Sequence, residues 1–455
     1  MKTVLKEILS TIDADYADIR LEEYERTRIL YRGTLLEEFG KNFEKGGCLR
    51  VFHNGNWGVM NFNELPSAPG AWTQAALKNT TLVKPRAGKI EQVEPKEATI
   101  TIKKENDTRT IPLEAKRDLI NRYNDILLKN KGITSTTAYY EDTLKQSSFA
   151  STDGRMIEEE KVYAGISLNA IARDGTNVQS YSKSFGDTRG FNNLLNKENE
   201  IEQVAKIALD LLKAEKVEAG VYTIIIDPQL AGVFAHEAFG HLSEADHIYE
   251  NERLQALMKI GSRFGATELA IVDDPTLTGE RGSYHFDDEG IEARRTYLIK
   301  DGILAGHLHN RQTAYKMHEP LTGNGRSINY RFAPIVRMSN TFIKPGNYTL
   351  EAMLAGIKKG LYVVGSRGGM TELEAFTFSS QYAYLIENGS LTKTMLRDVV
   401  LSGNVFETLK NIDAIGSDLT FFGGVGGCGK SGQAPLPVSL GGPHIRIKNI
   451  VIGGR

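Results

Sequence analysis

The chain has 455 residues, 40% of them hydrophobic and 25% charged, and a formal net charge of -2. These values fit a folded polypeptide of about two or three domains. They exclude a low-complexity chain, and with no basic block, sequence-independent DNA binding is not expected. Only two cysteines occur, Cys48 and Cys428, which rules out a disulfide scaffold.

The first twenty residues contain Leu5, Ile8, Leu9 and Ile12 at helical spacing. They read as an amphipathic helix rather than a signal peptide, and no apolar run approaches the roughly 18–20 residues of a membrane span. The cytoplasm is the expected location. Ala17, Ile19 and Leu21 alternate with polar residues as in a half-buried strand, and further strands are expected at Arg28–Tyr31 and Leu49–His53. A short helix is predicted over Ala71–Leu77. Residues 84–110, rich in Lys, Glu and Thr, read as a connector with an exposed strand or two.

Leu113, Leu119, Ile120, Tyr123, Ile126 and Leu127 predict a second long helix. Asp153-Gly154 and Asp174-Gly175 mark tight hairpins, because such pairs tolerate positive φ. Ile201, Val204, Ala205, Ala208, Leu211 and Leu212 predict another helix. Val221–Ile226 is a continuous apolar run, expected as a buried strand. Asp227-Pro228 then supplies an N-cap and an N1 proline for a helix. Asp301-Gly302 and Asn388-Gly389 read as two more hairpins. The expected fold class is α+β: a mixed N-terminal α/β region followed by a β-rich C-terminal domain, divided at 1–83, 84–217 and 218–455.

The helix after Asp227 carries His236-Glu237-Ala238-Phe239-Gly240-His241. Two imidazoles and a carboxylate can hold zinc and activate a water on it. The spacing is one residue longer than H-E-x-x-H. On a regular helix His236 and His241 would lie about 140° apart, too far to share an ion. Either a π-bulge brings them into line, or the helix ends at Gly240 and His241 reaches back from a turn. Catalytic zinc takes three protein ligands, so another donor is needed. Cys428, Glu244, Asp246 and His247 are candidates. Cys428 stands in a glycine run, Gly423–Gly429, where the backbone can approach a site closely.

Other polar groups have plainer readings beside functional ones. Glu244 and Asp246 either orient the histidines or form a solvated acidic helix end. Arg281, Tyr284 and His285 are candidates for an oxyanion donor, and each also suits a surface or turn position. Asp287-Asp288-Glu289 reads as a solvated turn, since the positions of an EF-hand loop are absent. His307 and His309 alternate as exposed polar residues of a strand.

The chain resembles the TldD/PmbA family of metallopeptidases, once called modulators of DNA gyrase, and the TldD branch in particular. The resemblance rests on His236–His241 with Glu244-Ala245-Asp246, on Gly279–Ser283 and Asp287–Gly290, and on Arg337–Thr341 ahead of Pro345-Gly346. It continues through Tyr384–Gly389 and Gly427–Gln433; Tyr16-Ala17-Asp18 and the Gly46–Gly58 region match more loosely. It implies a β-rich C-terminal metallopeptidase domain, a Zn2+ ion held by His236, His241 and Cys428, and Glu237 as catalytic acid/base. It also implies action on peptides or unfolded polypeptide segments, with a PmbA/TldE-like partner subunit or as a homodimer. The competing readings are a non-catalytic regulatory subunit and a structural zinc protein.

Overall fold

The structure, a computed structural model, describes residues 2–65, 69–84 and 88–453. Residues 85–87, at the start of the expected connector, lie outside the described residues. The N-terminal part begins with α1 (Lys2–Ser10), β1 (Tyr16–Arg32), β2 (Leu35–His53), β3 (Asn56–Phe62) and α2 (Pro69–Thr80). The next part contains β4 (Lys96–Ile100), α3 (Leu113–Leu128), β5 (Ile133–Ser151), β6 (Arg155–Asp174), β7 (Asn177–Asp187) and α4 (Glu198–Leu211). All seven strands form one sheet in the order β3-β2-β1-β5-β6-β4, with β7 on β6. The antiparallel pairing of β1 with β5, from Asp18↔Ser151 to Arg32↔Thr137, joins the segments on either side of residue 84.

Two separate helix pairs cover this sheet. Ile120, Tyr123 and Leu127 of α3 pack with Val204 and Ala208 of α4 over Ile166 and Leu168 of β6. Leu5 and Leu9 of α1 pack with Ala76 of α2 over Ile19 and Val51. The helices stay amphipathic because one apolar stripe faces the sheet.

The strands expected at Ala17–Leu21 and Arg28–Tyr31 are one continuous strand. Its apolar alternation is broken because Asp18, Arg20 and Glu22 are themselves buried. Their partners are distant in sequence. Arg50 Nε lies 3.0 Å from Asp18, and Lys145 Nζ lies 2.7 Å from Glu22. Arg50 Nη1 reaches Glu289 at 3.0 Å, while Lys145 and Arg20 approach Asp288 at 3.5 and 3.7 Å. The acidic run Asp287–Glu289 is therefore no solvated turn. It lies in a charged seam between the N-terminal sheet and the C-terminal region, where a buried carboxylate needs a cation beside it. Burial opposes the charge on Asp288, but Lys145 and Arg20 outweigh it and hold the carboxyl below its ordinary value.

The C-terminal region contains a ten-stranded mixed sheet and a six-stranded sheet. β8 (Glu215–Lys216) lies at one end of the larger sheet, and β9 (Gly220–Ile226) lies inside it. β9 runs parallel to Lys359–Val364 and antiparallel to Ile445–Gly453. Buried on both sides, it shows no polar alternation through Ile224–Ile226. The helical segment after Asp227 packs in the core between the sheets, among Ile224, Leu361, Met338 and Ile343. Phe234 stands edge-on to Phe376 at 5.7 Å between ring centroids. Each fully buried side chain of this kind contributes roughly 1.5–3 kcal/mol. The segment that carries the histidines is thus anchored by apolar packing. Among the described residues, no helix is long and apolar enough to cross a membrane.

Candidate metal centre

Asp227 caps α5 (Pro228–Val233) by accepting the Leu230 N–H at 2.9 Å, with Pro228 in the first turn. The helix then widens into a π-helix over Phe234–Gly240. Of the two routes open to the H-E-x-x-x-H string, the chain takes the wide turn. The His241 N–H bonds to the His236 carbonyl, five residues back, and the two imidazole rings lie 5.1 Å apart. Gly240 is required here because a side chain would strike Met338 Sδ. A short 3-10 turn, His241–Ser243, delivers the chain to Glu244.

The third donor comes from a two-stranded hairpin, Cys428–Lys430 paired with Gln433–Leu436. Gly427 must be glycine, since a Cβ would collide with the Leu436 carbonyl oxygen. Arg337, fully buried, donates to the Cys428 carbonyl at 2.8 Å and to the Gln433 carbonyl at 3.2 Å, holding both strands. Cys428 Sγ lies 3.4 Å from His241 Nε2. One donor atom from each of His236, His241 and Cys428 falls within 4.8 Å of the others. Asp246 and His247 stand outside this group.

Glu244 is fully buried and accepts from His241 Nδ1 at 2.9 Å. That bond places the proton on Nδ1 and leaves the Nε2 lone pair facing Cys428. Lys430, two residues beyond Cys428 and so on the same side of its strand, reaches Glu244 at 3.1 Å and Asp246 at 2.6 Å. Glu244 thus orients a histidine, while Asp246 holds the lysine that neutralises Glu244. Lys430 stood in the quoted sequence strings without a role. The two-residue period from Cys428 was the signal that could have found it.

Electrostatics prepare the donors. Burial opposes ionisation of Cys428, but His236 and His241 draw its thiol down to about 5. Burial likewise opposes charge on His241, but Glu244 and Cys428 raise it to about 11. Glu244 is desolvated, yet Lys430 and His241 lower it to about 2. Without an ion the site holds a thiolate beside an imidazolium, whose Nε2 proton a metal would replace. His236 Nδ1 is buried without a hydrogen-bond partner. Two imidazoles and a thiolate suit zinc, and the residues present fit it.

Glu237 follows the first histidine, and its Oε2 lies 3.8 Å from His241 Nε2. Its side chain is one-third exposed, so it borders the donor group while remaining open to solvent. The suggested oxyanion donors are engaged elsewhere. Tyr284 donates to the Gly323 carbonyl at 2.7 Å, His285 meets Glu159, and Arg281 lies over Tyr163. Arg281 and Tyr284 are buried rather than superficial. With Gly426 and Leu436 they line a cavity of about 220 Å³ beside the Cys428 hairpin.

His307 and His309 depart from expectation. They are 2% and 1% exposed, and the strand before them ends at Leu304. Both rings contact Glu319. The sequence offered only an alternation of two histidines; the carboxylate arrives from beyond the helix Arg311–Met317.

An α+β frame with a His-His-Cys donor group and an adjoining glutamate is a metallopeptidase layout, and domain descriptions of one family span the chain. PmbA/TldA metallopeptidase domain 1 matches residues 17–79, the central domain 106–215 and the C-terminal domain 219–454. The chain belongs to the PmbA/TldA metallopeptidase family. It is 40% identical to a metalloprotease of Synechocystis, covering 100% of this chain and 98% of that protein. It is 31% identical to the zinc metalloprotease TldD homolog of Saccharolobus solfataricus, covering 97% of each. The crystal structure of TldE from Thermococcus kodakarensis shares the fold, with a TM-score of 0.79 over 100% of both chains at 17% identity.

Proposed function

We propose that this protein is a zinc-dependent peptidase acting on peptides or unfolded polypeptide segments. The observation that carries this reading is the convergence of His236, His241 and Cys428 within 4.8 Å, with Glu237 at its edge. A zinc ion held by these three residues would supply Lewis acidity to a water and to the scissile carbonyl. Glu237 takes the proton from the attacking water and returns it to the leaving amine. Glu244 fixes the tautomer and orientation of His241, and Lys430 keeps Glu244 ionised. Arg337 holds the hairpin that presents Cys428.

In this reading residues 218–455 carry the chemistry, while 1–83 and 84–217 build the sheet against which that region packs. Main-chain recognition by strand addition to an open sheet edge would give little sequence preference. A PmbA/TldE-like subunit or a second copy of the chain would complete the working assembly. The test is cleavage of unfolded peptides and their scrambled versions, alone and with a TldE-type partner, beside metal analysis. Chelation should stop cleavage and zinc should restore it. Unchanged cleavage after chelation, with the metal shown to be gone, overturns the reading; cutting of one sequence alone overturns strand addition.

A further inference from the structure

A second donor cluster lies outside the site described above. His307 Nδ1 is 2.9 Å from Glu319 Oε2, and His309 Nε2 is 3.1 Å from the same oxygen. One donor atom from each of the three residues falls within 4.8 Å of the others. Tetrahedral zinc with 2.0 Å bonds separates its ligand atoms by about 3.3 Å, so small shifts would admit an ion.

Counting protons shows what the cluster lacks. His307 Nε2 lies 2.9 Å from the Met258 carbonyl oxygen, which can only accept, so this nitrogen carries the hydrogen. The neutral ring then turns a bare Nδ1 towards a carboxylate. His309 Nδ1 lies 3.1 Å from Thr313 Oγ1, whose own hydrogen is directed to the Asn310 carbonyl. That hydroxyl oxygen therefore accepts from Nδ1–H, and Nε2 of His309 is also bare. Two imidazole lone pairs and a carboxylate thus meet in a largely buried place, which is unfavourable unless a cation joins them. Metal-binding histidines commonly donate their other nitrogen to a carbonyl or similar acceptor, and both rings do so here. A cavity of about 280 Å³, bordered by Tyr297, His307, His309 and Glu319, gives an ion and its water a way in. Arg295 on its wall is paired with Asp274 at 2.6 Å.

We propose that His307, His309 and Glu319 form a second metal site, non-catalytic, for a divalent transition ion such as zinc. The site is tied to the first through the main chain. Leu308 lies between the two histidines; its N–H donates to the Ser243 carbonyl at 2.8 Å, and its carbonyl accepts the Ala245 N–H at 3.0 Å. Those bonds bracket Glu244, the residue that orients His241. An ion on His307 and His309 would pin the backbone on which the first centre is aligned.

The proposal stands apart from the peptidase reading and is tested with the first donor set removed. Full-length H236A/C428A protein is stripped with a chelator, then titrated with zinc or cobalt(II), and bound metal is counted. One ion per chain is expected, with a cobalt spectrum lacking a thiolate charge-transfer band. Adding Glu319→Gln or His309→Ala should abolish that ion. No bound ion in H236A/C428A, or an ion that survives both further substitutions, overturns the proposal. Circular dichroism on each variant checks folding. Should either extra substitution unfold the chain, protection of His307 and His309 from diethyl pyrocarbonate by cobalt in H236A/C428A decides the matter: protection supports the site and its absence rejects it.

Discussion

The two histidine clusters use similar residues in opposite ways. His236, His241 and Cys428 meet beside a one-third-exposed glutamate, with a thiolate delivered by a glycine-rich hairpin. His307, His309 and Glu319 have no such neighbour, and both their rings are buried. The first arrangement leaves a carboxylate free to carry protons beside the donors. The second uses its carboxylate as a donor, and so has no spare base. The difference teaches that donor identity alone does not make a reactive centre; an uncommitted acid/base within reach does.

The comparison is broken most severely at Cys428. Cys428→Ala should empty the first centre and abolish peptide cleavage while leaving any ion at the second, as counted by metal analysis. Next comes Glu237→Gln, expected to slow cleavage by about 10²–10⁴-fold with metal content unchanged. Cleavage at the wild-type rate in this variant would remove Glu237 from the mechanism. Glu244→Gln weakens the orientation of His241 and should lower metal affinity at the first centre by about 10–100-fold. Competition with a chromogenic chelator measures it, and an unchanged affinity would show that Glu244 does not tune the donor.

The smallest effect on chemistry is expected away from both clusters, at Asp288. Asp288→Asn should cost a few kcal/mol of stability at neutral pH, up to about the 3–5 kcal/mol of a broken buried pair. Because the folded-state carboxyl is held below its ordinary 3.8, its contribution is present above that value and fades as the pH falls through the lowered one. The gap in denaturation midpoint between wild type and variant should therefore close in acid. A gap that stays constant with pH would mean that packing, not charge, is lost.

Much of this organisation was legible in local pattern. Asp227-Pro228 marked the helix start, and the five-residue interval between His236 and His241 demanded either a wide turn or a break. The hairpins at Asp153-Gly154, Asp174-Gly175, Asp301-Gly302 and Asn388-Gly389 all form. What escaped was burial supplied from a distance. Asp287–Glu289 looks solvated until Arg50, Arg20 and Lys145 arrive from the N-terminal sheet. His307 and His309 look like strand surface until Glu319 and Met258 close over them. Alternation reports faces only when the polar residues really face water.

The π-turn at Phe234–Gly240 makes the spacing of the site a matter of phase. Removing Ala238 would restore the commoner H-E-x-x-H interval and, on paper, improve the motif. In the molecule it would rotate everything after it by about 100° and draw it back about 1.5 Å. Glu244 would lose its place under His241, and the Ser243–Ala245 backbone its bonds to Leu308. A one-residue deletion that looks like a repair would thus act as a frameshift in space, and longer insertions or deletions here would be tolerated only in steps that return the helix to the same angle.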